Sequence, residues 1–301
     1  MTQSGRLEAQ GRQVLPVLAE SFQQLYLAPQ SEGNPHYREV VLAGEDAPQK
    51  DLSHFFMDER DTSVFLDTPA GEVRAVTLHD RRDFETALNC IGNKTGTAEI
   101  PATQGASILD GVISWPKINA HQEEYLKKAD DWDEEFARFT ADKKNYTEAL
   151  ILLSYGPYSA VPAEDAGFTE EEWNRYSDTI SRYHECTHFV CRRLYPDQIN
   201  AIWDELAADA AGITAAFGHY DLALAERFLG IREAHYTKGR LENYAKTKTP
   251  AELDALAAEV HGILKKIEAL LKEHEGKPVF DLVLLLEEHQ KEFIQGTSLE
   301  P

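Results

Sequence analysis

The chain has 301 residues, of which 42% are hydrophobic, and a formal net charge of -22. This is enough apolar sequence for one large or two ordinary globular domains. The negative charge argues against nucleic acid and against an anionic membrane surface as partners, because both bind clusters of lysine and arginine. No run approaches about eighteen consecutive apolar residues, so we expect no membrane span.

Cysteine usage and the start of the chain predict the compartment. The three cysteines, Cys90, Cys186 and Cys191, leave one unpaired in any disulfide scheme. The first twenty residues lack the apolar core of a signal peptide. We therefore expect a cytoplasmic protein.

The first half of the chain predicts mixed α and β structure, which we take as an N-terminal α+β region over residues 1–145. Helical patterns and short strand-like runs alternate, separated by Gly, Asp and Pro. Helices are predicted over residues 7–27, 82–91 and 120–140, and strands over residues 39–42, 63–66, 73–78, 106–114 and 149–154. The last of these strands begins the second region, which we place at residues 146–301.

A long helix with a clear start follows the last predicted strand. Thr169 with Glu172 reads as an N-cap and its capping-box glutamate, which predicts a helix over residues 170–194. Its apolar stripe at 3.6-residue spacing includes His184 and His188. The two histidines therefore belong to an inward face.

The five residues from His184 to His188 read HExxH. Side chains four apart lie above one another on a helix, so both imidazoles can reach one ion. Glu185 lies about 100° around the helix from His184, where it can take a proton from a water bound to that ion. This pattern is typical of a zinc hydrolase.

The next helix supplies a third ligand. Pro196 ends the first helix, Asp197 is predicted to be the N-cap of a helix over residues 198–217, and Gly218 closes it. After so short a turn the second helix folds back, which brings Glu205 to the depth of His188. Asp209, one turn further, is predicted either to accept a hydrogen bond from a ligand histidine or to be an ordinary helix-face carboxylate.

Small residues on the second helix favour close packing against the first. Ala201, Ala208, Gly212 and Ala216 share the face of Glu205 and let two backbones approach. Two histidines and one glutamate leave a fourth position for water, as in catalytic zinc sites. Cys186 faces away from this set, and Cys191 is predicted to be a small buried apolar residue rather than a ligand.

The arrangement of His184, Glu185, His188, Glu205 and Asp209 resembles the gluzincin branch of zinc metallopeptidases. The resemblance implies an α+β, zincin-like fold with a small mixed sheet, then the HExxH helix, then a largely helical C-terminal part. It implies Zn²⁺ as cofactor, with Glu185 as general base. It also suggests that the edge strand at residues 106–114 aligns an extended substrate.

Longer segments carry a second resemblance. The sequences IPATQGASILDGVISWPKI, LILLSYGPYSAVPA and HECTHFVCRRLYPDQINAIWDELAADAAG are similar to a bacterial family of HExxH proteins without an assigned function. That likeness implies no substrate. Trp115 lies in the first of these segments, where core packing is favoured over a role as a substrate wall.

The C-terminal third is predicted to be helical, over residues 221–229, 249–274 and 279–294. Between the first two helices lies a Gly-containing segment, Tyr236 to Tyr244. His235, Tyr236 and Arg240 are candidate donors to the charge that develops on a carbonyl oxygen during hydrolysis. Spacing alone does not align these residues, or His219, with that role, so a surface or structural role is favoured for each.

These patterns predict a zinc-dependent hydrolase, most simply a metallopeptidase acting on a peptide or small amide. The alternative is a zinc-containing binding or regulatory protein that keeps the metal helices without turnover. A di-iron carboxylate oxidase would use Glu185 and His188 as one ligand pair, but it requires a second Glu-x-x-His, which the sequence lacks.

Overall fold

The computed structural model describes residues 5–245 and 247–299. By its contacts this part of the chain divides into an N-terminal unit, residues 5–66 and 73–155, and a helical unit, residues 67–72 and 156–299. The class is α+β, as predicted, with a mixed sheet followed by a largely helical part. The division falls after the strand that ends at Ser154, whereas the sequence placed the boundary before that strand.

Five strands form the sheet, in the order β1-β2-β3-β5-β4. The strands are β1 (Arg6–Gln10), β2 (Thr62–Thr68), β3 (Gly71–Leu78), β4 (Ala106–Ile113) and β5 (Thr147–Ser154). β3 and β5 are parallel, whereas β1 pairs with β2 and β4 with β5 antiparallel. β5 lies between β3 and β4, and its apolar residues 149–153 are all buried, as expected for a strand covered on both faces. β4 lies at one edge, as the sequence predicted.

Four helices belong to the N-terminal unit, namely α1 (Val14–Ser21), α2 (Arg81–Ile91), α3 (Trp115–Tyr125) and α4 (Trp132–Thr140). The helix predicted over residues 82–91 is confirmed, and Asp80 caps it by accepting a hydrogen bond from the amide of Arg82. The single helix predicted over residues 120–140 is wrong. It is two helices, α3 and α4, separated by residues 126–131.

Two further predictions near the N-terminus are wrong. The helix predicted over residues 7–27 begins instead as β1, and Gly11, at φ +63°, turns the chain before α1. Residues 39–42, predicted to be a strand, form part of a π-helical turn over Arg38–Leu42 that buries Val40 and Val41. A short apolar run has no periodicity that separates a strand from a buried helical turn.

Six of the ten helices in the described part of the chain lie in the helical unit: α5 (Ala163–Ala166), α6 (Glu170–Leu194), α7 (Ala201–Phe217), α8 (Leu222–Leu229), α9 (Pro250–Glu273) and α10 (Val279–Ile294). Two short strands, β6 (Ile231–Arg232) and β7 (His235–Tyr236), pair antiparallel between α8 and α9. The predicted bounds of α6 and α10 are confirmed, and those of α8 and α9 agree to within a residue. No helix in residues 5–245 or 247–299 combines the length and apolarity that a membrane span requires.

The ends of α6 and α7 follow from local chemistry. Thr169 and Glu172 form the predicted capping box at the start of α6. α7 starts later than predicted because Asn200, not Asp197, is its N-cap, accepting a hydrogen bond from the amide of Trp203. Asp197 lies in a short 3₁₀ turn over Pro196–Gln198. Gly218 closes α7 at φ 79°, as predicted.

α6 and α7 pack at close range. A β-carbon placed on Gly212 would lie 2.7 Å from the backbone oxygen of Ile180, so only glycine fits at this position without movement. Trp173 and Trp203 are fully buried in the core of the helical unit. The small-residue face predicted for α7 is therefore used for this contact.

Trp115, for which the sequence favoured core packing over a role as a substrate wall, packs within the N-terminal unit. Its indole Nε1 donates a hydrogen bond to the carbonyl oxygen of Val41 at 2.9 Å, and its ring lies against Gly44. This environment supports the core-packing role that the sequence favoured for Trp115.

Candidate metal centre

Three side chains from α6 and α7 converge in the helical unit. His184 and His188 face each other with their Nε2 atoms 3.0 Å apart. The carboxylate of Glu205 lies between them, with Oε2 at 3.6 Å from Nε2 of His184 and Oε1 at 3.4 Å from Nε2 of His188. One atom from each side chain lies within 4.8 Å of the others, so the group could hold a metal ion.

A fourth residue fixes the orientation of His184. Its Nδ1 lies 3.0 Å from Oδ1 of Asp209, one turn beyond Glu205 on α7. A carboxylate only accepts hydrogen bonds, so Nδ1 of His184 carries the proton and donates it. The lone pair of this imidazole is therefore on Nε2, directed toward His188 and Glu205.

Tyr158 extends this contact from a segment well before α6. Its hydroxyl donates to Oδ1 of Asp209 at 2.6 Å and lies 2.8 Å from Nδ1 of His184. The ring packs edge-on against Phe228, and the side chain is buried. Tyr158 was not identified from the sequence, because nothing local separates a tyrosine in an apolar run from an ordinary core residue.

Arg240 neutralises the carboxylates of the centre. Its Nη1 donates to Oε2 of Glu205 at 3.2 Å and to the hydroxyl oxygen of Tyr158 at 3.2 Å. Its Nη2 donates a short hydrogen bond to Oδ2 of Asp209. One guanidinium therefore bridges Glu205, a predicted metal ligand, and Asp209, which hydrogen-bonds to the predicted ligand His184. The sequence favoured a surface or structural role for Arg240, and the structure places it in the centre.

The local charges set the protonation of these groups. Burial would raise the pKa of Glu205, but the hydrogen bond from His188 and the charges of His184 and Arg240 lower it. Burial would likewise raise the pKa of Asp209, but Arg240 and His184 lower it. Both carboxylates are therefore ionised near neutral pH, as metal ligation and charge-assisted hydrogen bonding require.

Tyr244 also contacts the third ligand, Glu205. Its hydroxyl donates a hydrogen bond to Glu205, and burial together with the charge of Glu205 raises the pKa of this tyrosine. The phenol therefore stays protonated and remains a donor. In the sequence analysis Tyr244 appears only as the last residue of the segment that begins at Tyr236.

Glu185, the predicted general base, follows His184 on α6 and is 9% exposed. In residues 5–245 and 247–299 its carboxylate has no hydrogen-bond or ion-pair partner. It therefore differs from Glu205 and Asp209, whose oxygens are all engaged. A carboxylate without a partner can accept a proton or a substrate hydrogen bond.

Two of the candidate donors lie elsewhere. The side chain of His235 is 74% exposed, and its Nδ1 is 3.8 Å from Asp254. Tyr236 donates its hydroxyl proton to Glu242 at 2.9 Å. Neither side chain contacts the group formed by His184, His188 and Glu205. Both residues belong to the short strand β7, which precedes Arg240.

The cysteines take no part in the centre. Cys90, Cys186 and Cys191 are all free and buried. Cys191 instead hydrogen-bonds with Glu287. Burial raises the pKa of the Cys191 thiol, and the negative charge of Glu287 raises it further. A neutral thiol is a poor metal ligand, in agreement with the apolar role predicted for Cys191.

Comparisons with known proteins add a family but no activity. A family model described as a family of unknown function matches residues 3–280. No curated protein matches the chain significantly. No solved structure does so either.

Proposed function

We propose that this chain, which belongs to the family of unknown function DUF7005, is a zinc-dependent hydrolase. Its substrate would be a peptide or small amide. One observation carries the proposal: His184, His188 and Glu205 converge, and Glu185, which follows His184 on α6, has no hydrogen-bond or ion-pair partner among the described residues. Three ligands and an adjacent carboxylate are the components of zinc-assisted hydrolysis.

The ligand atoms fit zinc in kind and in spacing. Zinc prefers nitrogen and oxygen ligands at about 2.0–2.1 Å, and two such atoms around a tetrahedral ion lie about 3.3 Å apart. Nε2 of His184 and Nε2 of His188 are 3.0 Å apart. They lie 3.6 Å from Oε2 and 3.4 Å from Oε1 of Glu205, respectively. These contact distances are close to the tetrahedral spacing, and one ligand atom from each side chain lies within 4.8 Å of the others.

The same set does not favour magnesium, calcium or a di-iron pair. Magnesium and calcium prefer shells of oxygen ligands, and here two of three ligands are imidazoles. A di-iron site requires two groups of ligands. Within the described residues a single group of three or more such side chains lies close enough to share an ion.

In the proposed reaction each residue of the centre has a separate role. When bound, zinc polarises a carbonyl oxygen and lowers the pKa of water. His184, His188 and Glu205 would hold it. Glu185 takes a proton from the attacking water and returns it to the leaving nitrogen, so the water oxygen bonds to the carbonyl carbon as the amide bond breaks. Asp209 keeps the Nδ1 proton of His184 in place throughout.

Arg240 and Tyr158 position this machinery. Arg240 holds Glu205 and Asp209 together against their mutual repulsion. Tyr158 fills the second acceptor site of Asp209 Oδ1 and excludes water from behind His184. A cytoplasmic location, which three free buried cysteines favour, is part of the proposal.

The test is a digest of a mixed peptide library by zinc-loaded protein, with zinc content measured on the same samples. We expect the wild type to cleave and Glu185→Gln to keep its zinc while cleavage falls by about 100-fold or more. Zinc-loaded wild type without cleavage, or equal cleavage by Glu185→Gln, would reject the hydrolase assignment.

A further inference from the structure

A cavity of about 740 Å³ lies at the first turn of α7, one helical turn before Glu205. Its walls come from the start of α7, from residues 243–245, from one face of α9 and from Ser298 and Leu299. Tyr244 belongs to both places, because it lines the cavity and also donates a hydrogen bond to Glu205. A ligand bound in the cavity would therefore be separated from Glu205, a predicted metal ligand, by the side chain of Tyr244.

The walls of this cavity are largely apolar and accessible. Ile199, at its rim, is 63% exposed, although isoleucine is normally buried. Ala201, Ile202, Ala255 and Leu256 continue the apolar surface. A concave apolar surface of this volume, next to a site with catalytic chemistry, is typical of a ligand pocket.

Charge within the cavity is negative. Glu252 and Glu259 line it, and both are half-buried. Among the described residues, the carboxylate of Glu259 accepts hydrogen bonds from neutral donors, the amide of Ser298 at 3.0 Å and the hydroxyl of the same residue. Those bonds hold the carboxylate in place without neutralising it. No Lys, Arg or His occurs among the described residues that line the cavity.

From these contacts we infer that the cavity binds the side chain of the substrate residue next to the bond that is hydrolysed, and that it selects an aliphatic side chain ending in a positive charge. The aliphatic part lies along Ile202 and Leu256, and the cationic end faces Glu259. An acidic side chain is disfavoured in the same place. The assignment of the pocket to the substrate rests on the proposed hydrolase function.

Binding of three small probes tests the pocket without requiring turnover. The probes are the Nα-acetyl amides of lysine, norleucine and glutamate, whose backbones are identical and uncharged. We expect zinc-loaded protein to bind the lysine probe about tenfold tighter than the norleucine probe, equivalent to about 1.4 kcal/mol, and the glutamate probe most weakly. Dissociation constants from NMR titration provide the comparison.

Two variants with matched controls locate the binding. Glu259→Gln keeps an oxygen for Ser298 and should remove most of the advantage of lysine over norleucine, with Glu252 as the carboxylate that remains in the cavity. Ala255→Trp fills the cavity and should weaken every probe about tenfold or more. Glu273→Gln and Ala258→Trp change exposed residues of α9 that do not line the cavity, so they should bind like the wild type.

The outcomes separate this inference from the hydrolase assignment. Probe binding that follows this order, together with zinc-loaded protein that cleaves nothing, would reject the hydrolase and keep the pocket. Equal affinity for the lysine and glutamate probes would overturn the inference, and so would unchanged binding in Ala255→Trp. Hydrolysis combined with either of those results would reject the pocket alone.

Discussion

Nδ1 of His184 and Oδ1 of Asp209 lie 3.0 Å apart, although the two residues belong to different helices. The contact assigns the imidazole proton to Nδ1 and leaves Nε2 as the metal-directed atom. Asp209 also accepts from Tyr158 and Arg240, so four segments of the helical unit meet at one carboxylate.

Asp209→Asn should weaken zinc binding by about 10–100-fold, because the amide has no charge with which to hold the imidazole and the guanidinium. Competition with a chromophoric chelator measures the change. Asp197→Asn, at an exposed position in the turn before α7, should leave the affinity unchanged. Equal zinc affinity in wild type and Asp209→Asn would contradict this role.

Arg240→Gln should destabilise the zinc-free protein more than the zinc-loaded one. Without the guanidinium, Glu205 and Asp209 repel each other in a largely buried site, which we expect to cost about 2–3 kcal/mol after allowance for partial exposure. Bound zinc restores a positive charge and should recover part of this loss. Urea unfolding with and without zinc is the measurement, and an equal loss in both states would refute the account.

Gly212→Ala should separate α6 from α7, because the added β-carbon would meet the backbone oxygen of Ile180 at 2.7 Å. We expect a loss of about 1–3 kcal/mol in stability and weaker zinc binding, since the ligands come from both helices. Gly262→Ala in α9 is the control. Its β-carbon would meet nothing within 4 Å, so that variant should gain about 0.5–1 kcal/mol from helix propensity.

Asp61, in the N-terminal unit, should make stability depend on pH. Burial raises its pKa from 3.8 to about 6, although its carboxylate accepts a hydrogen bond from the amide of His79. Folded protein therefore binds this proton more tightly than unfolded protein does. The free energy of unfolding contributed by this group falls as pH rises from about 4 to about 6.

Asp61→Asn removes that titration and keeps an oxygen for the amide of His79. At pH 7.5 we expect the variant to be more stable by about 1–3 kcal/mol, the upper end being the full pKa difference. Thermal or urea unfolding of both proteins across pH 4–8 compares them. If the stability of the wild type rises across this pH range as strongly as that of the variant, the pKa of Asp61 is not raised in the folded protein.

The sequence predicted the metal helices because their signals are local. The capping residues Thr169 and Gly218 mark their ends, and the spacing of His184 and His188 places both on one face of α6. Glu205 then follows from helix length and a short turn. These inferences need no knowledge of the remaining chain.

The rest of the centre comes from distant segments. Tyr158 lies before α6, and Arg240 and Tyr244 lie beyond α8, so their positions depend on tertiary packing that no local pattern encodes. The same reason explains β1, whose five residues become a strand only because β2 pairs with them. Residues 39–42 were misassigned because a short apolar run fits both a strand and a buried turn.

The most direct test of the central claim is the zinc content of purified wild type, His188→Ala and Glu205→Gln after exchange into buffer with a weak chelator. Convergence of three ligands on one ion predicts about one zinc per wild-type chain and less than about a tenth of that in either variant. Metal-free wild type, or a Glu205→Gln protein that retains a full equivalent of zinc, would contradict it.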